Sequence, residues 1–141
     1  MNTVLNYKIG YYPHLLAILF ALLFIVLGIN PVDRAVWVVE VIPVVMVYLL
    51  LIATYKKFQF TNISYSLMLI WLVLHTIGGH YTFANVPFGF ITDMFGFERN
   101  HFDRIGHFSI GFYAYPMVEF LTRKKYANLV LSSLFGLFFI M

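Results

Sequence analysis

The strongest constraint on this chain is a recurrence of long apolar runs separated by short polar interruptions. A helix needs about 20 mostly apolar residues to cross bilayer hydrocarbon. Runs of this kind occupy about 13–29, 31–54, 63–79, 101–122 and 127–141, the last of them short for a span. Only 11% of the residues are charged and 62% are hydrophobic, which leaves too few solvating side chains to cover a core in water. The expected fold is all-α, a polytopic transmembrane helix bundle forming one integral membrane domain. It has four full spans, a short or incomplete fifth, and an interfacial loop between helices 3 and 4. Without cysteine, disulfides and thiolate chemistry are excluded. A net charge of +3 from nine Lys/Arg and six Asp/Glu is too sparse to track phosphates. The expected partner is therefore the lipid bilayer, with no nucleic acid.

Local signals place the elements. Tyr11 and Tyr12 suit an interface and Pro13 a first helical turn. Lys8 before an apolar run, with small Val26 and Gly28, also fits a signal peptide, but the repeated spans favour a retained helix. Asn30, Pro31 and Asp33 fit the N-cap, N1 and N3 positions of helix 2, and so short a connection predicts a tight antiparallel hairpin. Lys56 and Lys57 close the second span. Asn62 is placed to cap helix 3, and Gly78-Gly79 to end or loosen it. The segment from His80 to Asn100, with Phe83, Phe88, Phe90, Phe95 and Phe97, reads as interfacial. Helix 4 begins near Asn100 with Asp103 at its capping-box position, and Pro116 should kink it near Phe112.

An N-terminus on the cytoplasmic side puts Lys8, Lys56, Lys57, Arg123, Lys124 and Lys125 inside, and Arg34, Arg99 and Arg104 outside. That topology gathers Asp33, Arg34, His80, Asp93, Glu98, Arg99, His101, Asp103, Arg104 and His107 at the outer face. Asp103 and His107 are four apart, hence about 40° apart around a helix. They are the candidate acid/base pair, although Asp103 capping the helix and His107 bonding to it is an equally physical reading. Two such residues without a third ligand do not make a metal site. Asp33, Trp37 and Glu40 share one stripe, with Glu40 about 10 Å deeper. A carboxylate there costs about 2.5–3.5 kcal/mol facing lipid, so it should meet a partner or a wet cavity. A shallow or protonated Glu40 near the interface is the alternative. His75 and His80 lie about 140° apart on an unbroken helix and form no pair. Glu119, four before Arg123, predicts a local ion pair and nothing more.

The strings GGHYTFANVPFG (Gly78–Gly89) and FGFERNHFDRIGHFSIGF (Phe95–Phe112) resemble those of the YjdF-like family of bacterial inner-membrane proteins. NPVDRAVWVVEVIPV from Asn30 resembles that family's Pro-x-Asp-Arg and Trp-x-x-Glu pattern. More distantly, the run from Asp103 to Phe108 is similar to a VanZ-like signature. The resemblance implies that Asp33, Glu40, His80, Glu98, Arg99, Asp103, Arg104 and His107 hold recurrent polar positions. It establishes no role for them. Such proteins continue for about a further span and a half, carrying more acidic groups. The expectation is therefore a C-terminally truncated chain, stopping in mid-helix with an incomplete polar site.

The functional expectation is an inner-membrane protein whose outer polar pocket binds or modifies a lipid-linked or cell-envelope metabolite. In that pocket Arg34, Arg99 and Arg104 would grip phosphate and Asp33, Glu40, His80 and Glu98 would complete the binding set. The other expectation is a small transporter component or complex partner, in which Glu40 and His75 line an ion path. On the plainest reading, these polar residues only cap helices and pin loops. No cofactor and no oligomeric state follows from the sequence.

Overall fold

Three helices, each long and apolar enough to cross a membrane, set the architecture of the computed structural model, which describes residues 10–96 and 100–140. They are α1 (Tyr12–Ile29), α2 (Arg34–Thr54) and α3 (Asn62–His80). A short α4 (Gly89–Met94) follows, then α5 (Phe102–Ile110), a 3-10 turn (Gly111–Tyr113), α6 (Ala114–Arg123) and α7 (Leu129–Ile140). No strand occurs among the described residues. Lys8, Phe97, Glu98, Arg99 and Met141 lie outside them.

The apolar sequence of α3 is central rather than peripheral. In α3, 44% of the span is buried, against 11% in α1 and 17% in α2. Its Trp71 and Leu72 join Phe20 of α1 and Val44 of α2 in the core. Leu15, Ile18, Leu22 and Ile25 of α1 and Val39, Ile42, Met46 and Leu50 of α2 stay exposed, as lipid-facing positions should. On the opposite side α5 and α6 run antiparallel to α3. Gly106 comes near Phe83 beyond the C-terminal turn of α3, the Tyr113 hydroxyl donates to the Met68 carbonyl, and Glu119 reaches Thr61. Ser132 and Gly136 of α7 are buried, and Gly136 sits against Ala114 and Val118 of α6. Small residues let these two backbones approach closely.

Several local expectations change. Helix 2 starts at Arg34, and Asp33 is its N-cap rather than its N3 residue, because the carboxylate accepts from Ala35 N at 2.8 Å and Val36 N at 3.0 Å. Thr61, not Asn62, caps α3 by accepting from Ser64 N. α3 ends at His80, one residue past Gly78 and Gly79, close to where the glycine pair predicts. The two glycines are buried in its last turn, where a Cβ on Gly78 would fall 2.2 Å from the Phe83 ring and one on Gly79 3.2 Å from Glu40 Cβ. They also give room for neighbours, which the sequence did not show. The hairpin of α1 and α2 is not tightly packed either. Both helices pack on α3, and they meet each other through rings: Phe24 on Trp37, Phe20 on Tyr48 and His14 on Tyr55. Near Pro116 the α-helix gives way to the 3-10 turn at Gly111–Tyr113, where the missing proline N–H leaves the Phe112 carbonyl without its donor.

Candidate functional site

The antiparallel path puts the start of α2, the end of α3 and the start of α5 at one end of the bundle. This His80 end carries Asp33, Arg34, His80, Asp103, Arg104 and His107. The opposite end carries Lys56, Lys57, Arg123, Lys124 and Lys125.

At the His80 end, three of the expected binding residues hold helices together. The Arg34 guanidinium donates to the Gly28 carbonyl at 2.6 Å and the Ile29 carbonyl at 2.9 Å, satisfying acceptors that the last turn of α1 leaves free. Arg34 is thereby engaged with backbone rather than free to grip phosphate. Asp33 caps α2. His80 Nδ1 lies 2.6 Å from the Leu27 carbonyl, its ring edge-on to Trp37, and the His80 carbonyl accepts from Val32 N. The α1–α2 connection is thus fastened to the end of α3.

Deeper, Glu40 does meet a partner. Its Oε2 lies 3.3 Å from His75 Nε2, a close contact without hydrogen-bond alignment. The two side chains are 35% and 17% exposed, so the pair is half-sheltered rather than sealed. The Phe83 ring stacks edge-on against His75 at 5.3 Å and also seats on Gly78 and Gly106. It reaches that position through two consecutive left-handed residues, Thr82 at φ 54 and Phe83 at φ 55. A β-branched residue rarely adopts such a backbone, and strain of this kind concentrates at functional sites.

Beside this plug lies a cleft of about 350 Å³ lined by Thr82, Phe83, Ala84, Asn100 and Asp103. Asn100 fixes its rim, donating to the Ala84 and Val86 carbonyls and accepting from Phe102 N. Asp103 accepts from the Arg104 amide at 2.8 Å, and no hydrogen bond or ion pair joins it to His107. His107 and Arg104 are exposed. The described residues contain no group of three His, Asp or Glu arranged to hold a metal ion. Of the expected set, then, Asp103 lines the cleft, Arg104 and His107 stand on its helix, and Glu40 lies below the plug. Glu98 and Arg99 fall outside the described residues.

One polar centre was missed, at the opposite end. Glu119, its side chain 8% exposed, does far more than pair with Arg123. Its carboxylate accepts from Thr61 N at 2.9 Å, from the Thr61 hydroxyl at 3.0 Å and from the Ser64 hydroxyl. It is a second cap on the N-terminus of α3, supplied from α6, where negative charge meets the positive end of the helix dipole. Arg123 in turn donates to the Gln59 carbonyl at 2.6 Å. Spacing within α6 could show only the local pair.

Residues 12–141 match the family described as "Predicted membrane protein (DUF2238)". The chain is 37% identical over 114 residues to "Inner membrane protein YjdF" of Escherichia coli (strain K12), an alignment that covers 79% of this chain and 54% of that protein. It thus spans about half the length of the curated relative it matches. No solved structure matches.

Proposed function

Since the chain belongs to this YjdF-like family of multi-pass bacterial inner-membrane proteins, we propose that its His80 end binds the polar headgroup of a lipid-linked or cell-envelope metabolite. The observation that carries the proposal is the cleft beside Asp103, roofed by the strained Thr82–Phe83 turn and flanked by exposed Arg104 and His107. A guanidinium suits a phosphate, and Asp103 and His107 offer the carboxylate and imidazole that exchange protons with a bound group. Asp33, Arg34 and His80 set the frame. On this reading α5 through α6 is a fourth crossing, since residues 102–123 extend about 33 Å, and α7 is part of a fifth. The N-terminus is cytoplasmic and the cleft faces away from the cytosol, following the Lys/Arg bias.

The test is recovery of phosphate-bearing lipids, polyprenyl phosphates included, with the protein purified from its membrane. Arg104→Ala and Asp103→Ala should lose the bound species at unchanged abundance and melting temperature. Equal loss of abundance would make these residues structural, and a lipid complement unaltered by either variant would remove the headgroup reading.

The half-sheltered Glu40–His75 contact favours a second reading, a transporter component in which this pair carries protons. Glu40→Gln should then abolish a pH-dependent flux in vesicles while headgroup retention persists. Flux unchanged in that variant would eliminate it.

A further inference from the structure

The opposite end of the bundle has a second feature, unconnected to the cleft beside Asp103. Arg34 ties α1 and α2 together at the His80 end and both helices lean on α3; towards their other ends they touch only through side chains, the Tyr48 hydroxyl donating to the Ala17 carbonyl and the His14 ring meeting Tyr55. The space between them is a crevice of about 470 Å³, within the range of small-molecule sites. Its floor is apolar, made by Ala17 and Phe20 of α1, Leu51 of α2, and Leu69 and Leu72 of α3. Its mouth is not: His14, Tyr55 and Lys56 stand there, with the His14 and Tyr55 rings edge-on at 5.0 Å. From His14 to Phe20 the crevice descends about 9 Å along α1, well within the roughly 15 Å of one leaflet.

The same end of the bundle is basic and aromatic. Lys57 follows Lys56, and Arg123 and Lys124 both lie over the Phe58 ring, at 4.6 and 5.6 Å. Basic residues clustered where helices leave the bilayer attract anionic lipid, and aromatic rings hold that level of the interface. An occupant must therefore combine an apolar tail with an anionic head, at the depth where phospholipids have both.

We propose that this crevice holds one acyl chain of an anionic phospholipid of the surrounding membrane, with the lipid phosphate on Lys56 and the His14 imidazole. The acyl chain fills the gap that α1, α2 and α3 leave between them.

The full chain, reconstituted in nanodiscs of equimolar phosphatidylglycerol and phosphatidylcholine and then transferred to detergent, is examined by native mass spectrometry for retained lipid. Wild type should retain phosphatidylglycerol in preference. Lys56→Gln should reduce that preference about fivefold, the factor corresponding to about 1 kcal/mol per basic residue near a charged surface. Lys57→Gln, outside the crevice, should reduce it less than Lys56→Gln, through the surface field alone. Ala53→Trp, blocking the mouth, should abolish retention of both lipids at unchanged melting temperature, and Leu16→Trp fills the same space from α1 should the first variant misfold. Equal retention of the two lipids by wild type would overturn the proposal. So would identical losses in the two lysine variants, undiminished retention in the tryptophan variants, or a lipid-free dimer. Arg104→Ala has no part in this site and should not alter phosphatidylglycerol retention, which keeps the two binding proposals separable.

Discussion

Single residues in this protein do different work from what their type suggests. Glu119 illustrates it: replaced by Ala, it strands the Thr61 amide and hydroxyl and the Ser64 hydroxyl near the start of α3. Each buried donor left unpaired costs about 1–3 kcal/mol. Glu119→Ala should therefore lower the melting temperature in detergent markedly and Glu119→Gln less, since an amide oxygen still accepts. Equal melting of both variants and wild type would refute the cap. His80→Ala should cost about 1 kcal/mol by releasing the Leu27 carbonyl, while lipid recovery at the Asp103 cleft stays intact. What the sequence made legible here was residue type and depth. It left Glu40 between a partner or wet cavity and a shallow, protonated place, and named His75 with it only as lining an ion path, not as the group 3.3 Å away. It placed Asp33 in the cap of helix 2, at N3 instead of the N-cap, but did not reveal that backbone carbonyls of α1 absorb Arg34. Such partners come from other elements, and spacing along one helix carries no information about them.

Among the elements, the first three apolar runs were readable because each must be long enough to cross lipid, whatever its neighbours. Their ends and contacts were less so. Gly78 and Gly79 look like a helix stop, and in the last turn of α3 they are packing positions as well, because Phe83 folds back over Gly78 and Glu40 and Trp37 of α2 press on Gly79. Gly78→Ala drives a methyl into that ring and should destabilise the protein by about 1–3 kcal/mol. Phe83→Ala in the same chain should recover most of the loss, a coupling that a double-mutant thermal cycle measures. Additive effects would mean that the ring does not rest on Gly78. Between α6 and α7 the same logic applies to Gly136, whose added Cβ would meet Val118 at 3.0 Å and the Ala114 carbonyl at 3.1 Å. Gly136→Leu should separate the pair and lower the melting temperature in detergent, at the cost of about 1–3 kcal/mol that overpacking carries. An unchanged melting temperature would contradict the close approach.

For the molecule as a whole, what matters is which groups share an end. α3 is the axis on which α1, α2 and α5–α6 converge, so Asp33, His80 and Asp103 lie together and Lys56, Lys57 and Lys124 lie together at the other end. The alternation of spans made this segregation legible in the sequence. The cleft beside Asp103 and the crevice between α1 and α2 were not legible, because both are gaps left by several helices at once. The most direct measurement is labelling of single cysteines at Ala84, Lys57 and Lys124 by a membrane-impermeant thiol reagent, before and after the inner membrane is opened. Ala84→Cys should react in intact spheroplasts, and Lys57→Cys and Lys124→Cys only after opening. Ala84→Cys reacting with the same side as Lys57→Cys would contradict the segregation, and with it the assignment of the Asp103 cleft to the face away from the cytosol.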